Sequence, residues 1–84
     1  MKNKILVELI VPEIEEHYNI YIPIHKKIGS VINLLNKSIF ELSNGNYSGG
    51  NKNFLYNRDT NERYDLNDKV FNTNIRNGSI LVLL

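Results

Sequence analysis

Apolar and polar residues alternate along the first quarter of the chain. From Lys4 to Val11, Ile5, Val7, Leu9 and Val11 share one parity, and Lys4, Leu6, Glu8 and Ile10 share the other. A period of two sends successive side chains to opposite faces of a β-strand. Glu8 marks the second face as at least partly wet. The run from His17 to Ile24 alternates again, with Tyr18, Ile20, Ile22 and Ile24 on one side and Asn19 and Tyr21 on the other. Between them, Pro12 to Glu16 is charged, holds the first proline and reads as a turn. Two alternating runs so closely joined predict an antiparallel hairpin.

The period changes after Pro23. Ile28, Val31, Ile32, Leu35, Ile39 and Leu42 recur at spacings of three and four, the mark of one helical face, while Ser30, Asn33, Asn36, Lys37 and Glu41 take the opposite face. Ser43-Asn44-Gly45 supplies a stop, since Asn and Gly tolerate the left-handed conformation that ends helices. The start is less well marked, because His25, Lys26 and Lys27 set positive charge near the positive end of the helix dipole.

Asn44 to Asn53 is a polar, glycine-bearing loop that includes Ser48-Gly49-Gly50-Asn51. Phe54-Leu55-Tyr56 predicts a third strand, and Asn57 to Glu62 a turn into a brief fourth around Arg63-Tyr64. Leu66, Val70, Phe71 and Ile75 are isolated apolar anchors in a polar crossing segment. Asn77-Gly78 makes a tight turn, and Ser79 to Leu84 predicts the last strand. No repeat or interdomain linker interrupts this order. It predicts one α+β domain over residues 1–84, β-β-α-β-β-β, with a mixed sheet packed on one long helix.

With 84 residues, 42% of them apolar, the chain can build one modest core. A domain of this size has little stability to spare, so most large apolar side chains are needed for packing. Ten basic and nine acidic residues give a net charge of +1, which exerts no pull towards nucleic acid or an anionic membrane. The absence of cysteine excludes disulfides, thiolate nucleophiles and Cys-based zinc sites. Met1-Lys2-Asn3-Lys4 before Ile5-Leu6-Val7 has the outline of a signal peptide. However, Glu8 interrupts the apolar run, Pro12 closes it, and no small-residue cleavage site follows. No stretch approaches the roughly 18 apolar residues that span a bilayer. A soluble, cytoplasmic protein without membrane insertion is expected.

The order and lengths of these elements resemble the ubiquitin fold across nearly the whole chain, and Ile75-Arg76-Asn77-Gly78-Ser79 feeding an aliphatic final strand is common in ubiquitin-like domains. More narrowly, three stretches are similar to the small YukD/EsaB-like proteins of Gram-positive bacteria. They are Ile22-Pro23-Ile24 with Lys26-Lys27-Ile28-Gly29 leading into the helix, Glu41-Leu42-Ser43-Asn44-Gly45 ending it, and the closing Asn-Gly strand. That resemblance implies a β-grasp domain that serves as an accessory or regulatory component of a type VII (ESX/WXG-type) secretion system. One departure from ubiquitin and its sulfur-carrier relatives matters. Those proteins expose a flexible tail ending in Gly-Gly, whereas this sequence closes on Val82-Leu83-Leu84, and Gly49-Gly50 lies mid-chain. Conjugation and sulfur transfer are therefore not expected.

Catalysis needs converging polar groups with controlled pKa values. His17 and His25 have no metal-ligand spacing, and no phosphate-cradling glycine motif occurs. Glu13, Glu15 and Glu16 read as a solvated turn rather than a cation site. Asp59, Asp65 and Asp68 lack calcium-loop spacing, and Ser38 and Ser43 have no activating base in view. No enzyme activity, cofactor or metal is expected. His25-Lys26-Lys27, with Lys2 and Lys4 as neighbours, is the densest basic group, and it reads as a solvated loop.

The closing strand offers the sharpest expectation. If Ile80, Val82 and Leu84 face the helix, Leu81 and Leu83 point the other way, joined by Leu55, Leu6 and Ile10. An open antiparallel sheet usually makes that face polar, so aliphatics there mark a protein contact. Leu6, Ile10, Leu55, Leu81 and Leu83 are accordingly the expected interaction patch. The partners would be secretion-system proteins or, by self-association, a second copy. Two alternatives stand beside the patch: Lys4, Tyr21 or Tyr56 cover it, or the strand parity is reversed. Beside the interaction module stand two further readings, a modifier or sulfur carrier and a small RNA-binding β-grasp protein.

Overall fold

A computed structural model describes residues 3–49 and 53–84; Lys2 of the basic group, and Gly50 and Asn51 of the polar loop, lie outside the described residues. Strands β1 (Lys4–Val11) and β2 (Glu16–Pro23) form the hairpin, joined by a short 3-10 turn at Pro12–Ile14 and a left-handed Glu15 at φ 54°. Helix α1 (Ile28–Leu42) follows, then β3 (Leu55–Asn57), a second 3-10 turn at Val70–Asn72, and β4 (Ile80–Leu83). The sheet order is β2-β1-β4-β3, with β1 and β4 parallel and the other two pairs antiparallel.

The mixed sheet packed on one helix is therefore the α+β arrangement read from the sequence, less one strand. Arg63 makes only an isolated bridge to Tyr56. The segment touches the outer edge of β3, with the Tyr64 N–H donating to the Leu55 carbonyl at 3.0 Å. It then turns inward to bury the Tyr64 ring instead of continuing a ladder.

Both ends of α1 have a local cause. At its start Lys27 supplies no side-chain cap. The first helical N–H groups donate instead to the crossing segment: Ile28 to the Asp68 carbonyl at 2.8 Å and Gly29 to the Leu66 carbonyl at 3.0 Å. These are the donors that a helix leaves orphaned, so tertiary structure does the work of a missing Ser, Thr or Asp. At the far end Asn44 and Gly45 both take positive φ, 54° and 83°. The Asn44 N–H donates to Glu41 at 3.2 Å and the Gly45 N–H to Phe40 at 2.9 Å, a Schellman closure.

The core lies between α1 and one sheet face. Val7, Leu9, Val11 and Ile22 from the hairpin meet Ile28, Val31, Ile32, Leu35 and Ile39 of the helix, and Val70 and Ile75 seal one end. Leu42, the last residue of the helical apolar series, is exposed. Leu66 and Phe71 are exposed as well, so only half of the crossing segment's apolar residues anchor it.

The expected parity of the closing strand is reversed. Leu55, Leu81 and Leu83 are core residues, 0%, 0% and 2% exposed. The register explains why: Leu81 stands beside Leu9 across the parallel pair, and Leu83 stands opposite Leu55. Neighbouring residues in a ladder share a face, so these leucines lie under the helix with Leu9. Ile80 and Val82 take the other side, each only half-buried.

Two tyrosines complete the interior from polar stretches. The Tyr47 hydroxyl donates to Asn36 Oδ1 at 2.7 Å and accepts from Asn53 Nδ2 at 3.2 Å. The Tyr64 hydroxyl donates to Asn74 Oδ1 at 2.5 Å and accepts from Asn57 Nδ2 at 3.0 Å. Burial pushes both phenols above their usual pKa of 10.0, with smaller upward contributions from Glu13 at Tyr47 and Glu62 at Tyr64. A folded-state pKa raised above the unfolded one stabilises the fold below about pH 10, and that stabilisation is lost as pH rises through the folded value. The urea midpoint should thus fall above about pH 10. Tyr47→Phe/Tyr64→Phe should flatten that fall, whatever its effect at neutral pH. An unchanged slope would contradict the assignment.

Candidate protein interface

The sheet face turned away from α1 is built by the remaining parities. β1 contributes Leu6, Glu8 and Ile10; across the hairpin stand Tyr21, Asn19 and His17, in that order. On the other side Ile80 lies beside Glu8, Val82 beside Ile10, and Tyr56 opposite Val82. Ile10, Val82 and Tyr56 therefore form one apolar row across three strands. Leu6 and Tyr21 form a second group, 38% and 51% exposed, and Ile80 lies between the two.

Leu6 is held from behind by the Asn77-Gly78 turn. Its N–H donates to Asn77 Oδ1 at 2.8 Å, and its carbonyl accepts from the Gly78 N–H at 2.8 Å. Gly78 sits at φ 88°, where a side chain would be strained, and leaves open space beside Leu6. A shallow depression is lined there by Leu6, Glu8, Asn19, Tyr21 and Asn77. The polar members of the face are Lys4, Glu8, Asn19 and His17, and Glu8 and Asn19 lie between the Leu6-Tyr21 group and the row through Ile10. Glu8 Oε2 lies 3.2 Å from His17 Nδ1, with both side chains in solvent, so the pair contributes about 1 kcal/mol at most.

Of the five patch residues read from the sequence, Leu6 and Ile10 lie on this face and Leu55, Leu81 and Leu83 do not. Ile80, Val82 and Tyr56 take their place. Five consecutive aliphatics, Ile80 to Leu84, carry no polar residue to mark a wet side, and the only adjacent cue misleads. Ser79 shares the parity of Leu81 and Leu83, which points that parity outward. Its side chain instead serves the turn, accepting from the Arg76 N–H at 2.8 Å, and its carbonyl accepts from the Glu8 N–H at 3.0 Å. Of the suggested covers, Tyr21 stands beside Leu6 but is itself half exposed, and so adds to the apolar area.

The other chemical candidates have structural partners or lie open to water. Ser43 Oγ bonds the Phe40 carbonyl at 3.3 Å and accepts from the Tyr47 N–H at 3.0 Å, closing the helix end. His25 lies against the Phe71 ring, with centroids 6.0 Å apart. Among the described residues no group of three or more His, Asp or Glu gathers as metal ligands, and no helix is long and apolar enough to cross a membrane.

No family model matches the chain, and no curated protein matches it in sequence. Solved structures do match. The EccD5 ubiquitin-like domain from Mycobacterium xenopi has a TM-score of 0.77 at 15% identity, over 96% of this chain and 92% of that one. The ubiquitin-like domain of the Mycobacterium tuberculosis type VII secretion system protein EccD1 has a TM-score of 0.75 at 10% identity, over 96% and 97%. A chain of the toluene 4-monooxygenase HD complex reaches 0.72 at only 4% identity, over 95% of each. Likeness at such identities is likeness of fold. The chain has the ubiquitin-like β-grasp fold, in a form it shares with the ubiquitin-like domain of a type VII secretion protein.

Proposed function

We propose that the chain is a non-conjugated ubiquitin-like interaction module, a cytoplasmic accessory or regulatory component of a bacterial type VII secretion system, and not an enzyme. The observation that carries this reading is the apolar row Ile10-Val82-Tyr56, with Leu6 and Tyr21, on a sheet face left uncovered by the chain's own helix. An antiparallel or mixed sheet with one free face normally makes it polar, and a contiguous apolar surface there favours a protein partner. Likeness to the EccD1 domain supports the secretion context, and so do the YukD/EsaB-like stretches around Pro23 and Gly45. Leu83 is core, and Leu84 exchanges backbone hydrogen bonds of 2.7 and 3.1 Å with Phe54, so this segment belongs to the sheet.

Leu6→Lys/Val82→Lys tests the face without touching the core. Its affinity for the cytosolic domains of a type VII membrane complex from the same host, measured by calorimetry, should fall at least about tenfold. Its thermal midpoint should stay within a few degrees of the wild type. Undiminished affinity in the double variant would overturn the reading.

A further inference from the structure

The two edges of the sheet are finished differently. The outer edge of β3 is closed by residues 62–64: the Asn57 N–H donates to the Glu62 carbonyl at 2.8 Å and the Tyr64 N–H to Leu55 at 3.0 Å. β2 forms the opposite edge, eight residues long. The Ile24 N–H donates to the Asn3 carbonyl at 3.0 Å, which sets the alternation of the hairpin ladder. Tyr18, Ile20 and Ile22 turn their backbone groups to β1; His17, Asn19 and Tyr21 turn theirs away. Among the described residues no backbone group bonds the outward N–H or C=O of those three.

This open set is symmetric about Asn19 and stops at both ends for covalent or hydrogen-bonding reasons. Pro23 has no N–H to offer, and the Glu15 N–H is already given to the Pro12 carbonyl at 3.1 Å. Charge follows the same symmetry with opposite sign. Glu13, Glu15 and Glu16 crowd the beginning of β2, while His25, Lys26 and Lys27 follow its end and Lys4 stands opposite Pro23.

We propose that β2 pairs antiparallel with β2 of a second copy of this chain, about a two-fold axis at Asn19. His17 of each copy then meets Tyr21 of the other, and the two Asn19 residues exchange their own hydrogen bonds. The acidic beginning of each strand comes beside the basic end of its mate, twice over, whereas a parallel pairing would set like charges together. The two-fold keeps both helices on one side of the continuous sheet. It also closes the shallow groove, about 330 Å³, that Ile20, Val31 and Leu34 line between β2 and α1. Leu34, 48% exposed in the single chain, gains a covering. Of the outer face proposed above for a partner only Tyr21 takes part in this pairing; Leu6, Ile10 and Val82 stay free, so the dimer is tested separately from that contact.

Sedimentation equilibrium of the whole chain at low salt, from micromolar to several hundred micromolar, tests the pairing. Wild type should show a reversible dimer. Asn19→Pro removes an outward donor and leaves the ladder to β1 intact; it should weaken the dimer at least about tenfold while the circular dichroism spectrum is retained. Glu15→Lys/Glu16→Lys has two basic ends and Lys26→Glu/Lys27→Glu two acidic ones. Each alone should be monomeric, and an equimolar mixture should dimerise again. A wild type that stays monomeric throughout, a dimer indifferent to Asn19→Pro, or charge variants that do not recover on mixing would each overturn the proposal.

Discussion

Leu81→Ser should remove most of the protein's folding stability, whereas Val82→Ser, one residue further, should leave it nearly unchanged. Leu81 is wholly buried between β1 and β3 and beneath α1. Truncating a buried leucine costs about 2–5 kcal/mol, and a hydroxyl left without a partner adds about 1–3 kcal/mol. At about 0.05–0.15 kcal/mol per residue, a chain of 84 residues holds only about 4–12 kcal/mol in total. Val82 is half-buried on the open face, so its replacement removes less apolar contact and opens no cavity; the cost should be about 1 kcal/mol or less. Urea denaturation followed by far-ultraviolet circular dichroism separates the two. Equal stabilities, or the reverse order, would show that the strand faces the other way.

Tyr47→Ala should be the most damaging change in the stretch that follows the helix, at about 3–5 kcal/mol, in the range of buried aromatic truncations. The ring is 1% exposed although its neighbours in sequence are Asn46 and Ser48. Tyr47→Phe keeps the ring and removes only the hydroxyl. It should cost about 1–2 kcal/mol, because Asn36 Oδ1 then loses the donor 2.7 Å away. The difference between the two variants, read from urea midpoints, separates packing from hydrogen bonding. If alanine and phenylalanine cost the same, the ring would not be the core element described here.

The hairpin and the helix were legible because each carries its own periodicity with polar residues to mark the wet side. Glu8 and Asn19 label one face of the hairpin, and Asn33 and Lys37 label the outside of α1. The helix stop was legible because Asn44 and Gly45 are residues that left-handed geometry selects. The helix start was not, because its donors are satisfied by Leu66 and Asp68, almost forty residues away in sequence. Tyr47 was hidden because it sits in a polar, glycine-bearing stretch whose composition reads as loop, and Tyr64 was legible as part of a strand but not as a ring turned into the core.

The composition of the open sheet face was legible in β1 and illegible in β4. Leu6 and Ile10 alternate with core residues that the pattern identifies. Ile80 to Leu84 is uniformly aliphatic, and its parity is set by a parallel pairing with β1 that no local signal encodes. Leu55, Leu81 and Leu83 lie in the core while Ile80 and Val82 face outward, so the open face carries apolar residues other than those the local pattern points to.

Thiol footprinting bears most directly on that surface, since the chain has no cysteine of its own. Single variants Leu6→Cys, Val82→Cys and Leu42→Cys each place one reactive group in the protein, the last at the exposed end of α1. Adding the cytosolic domains of a type VII membrane complex should slow labelling at positions 6 and 82 by at least about tenfold and leave position 42 unchanged. Protection at 42 with none at 6 and 82 would place the partner on the helix and contradict a role for the open sheet face.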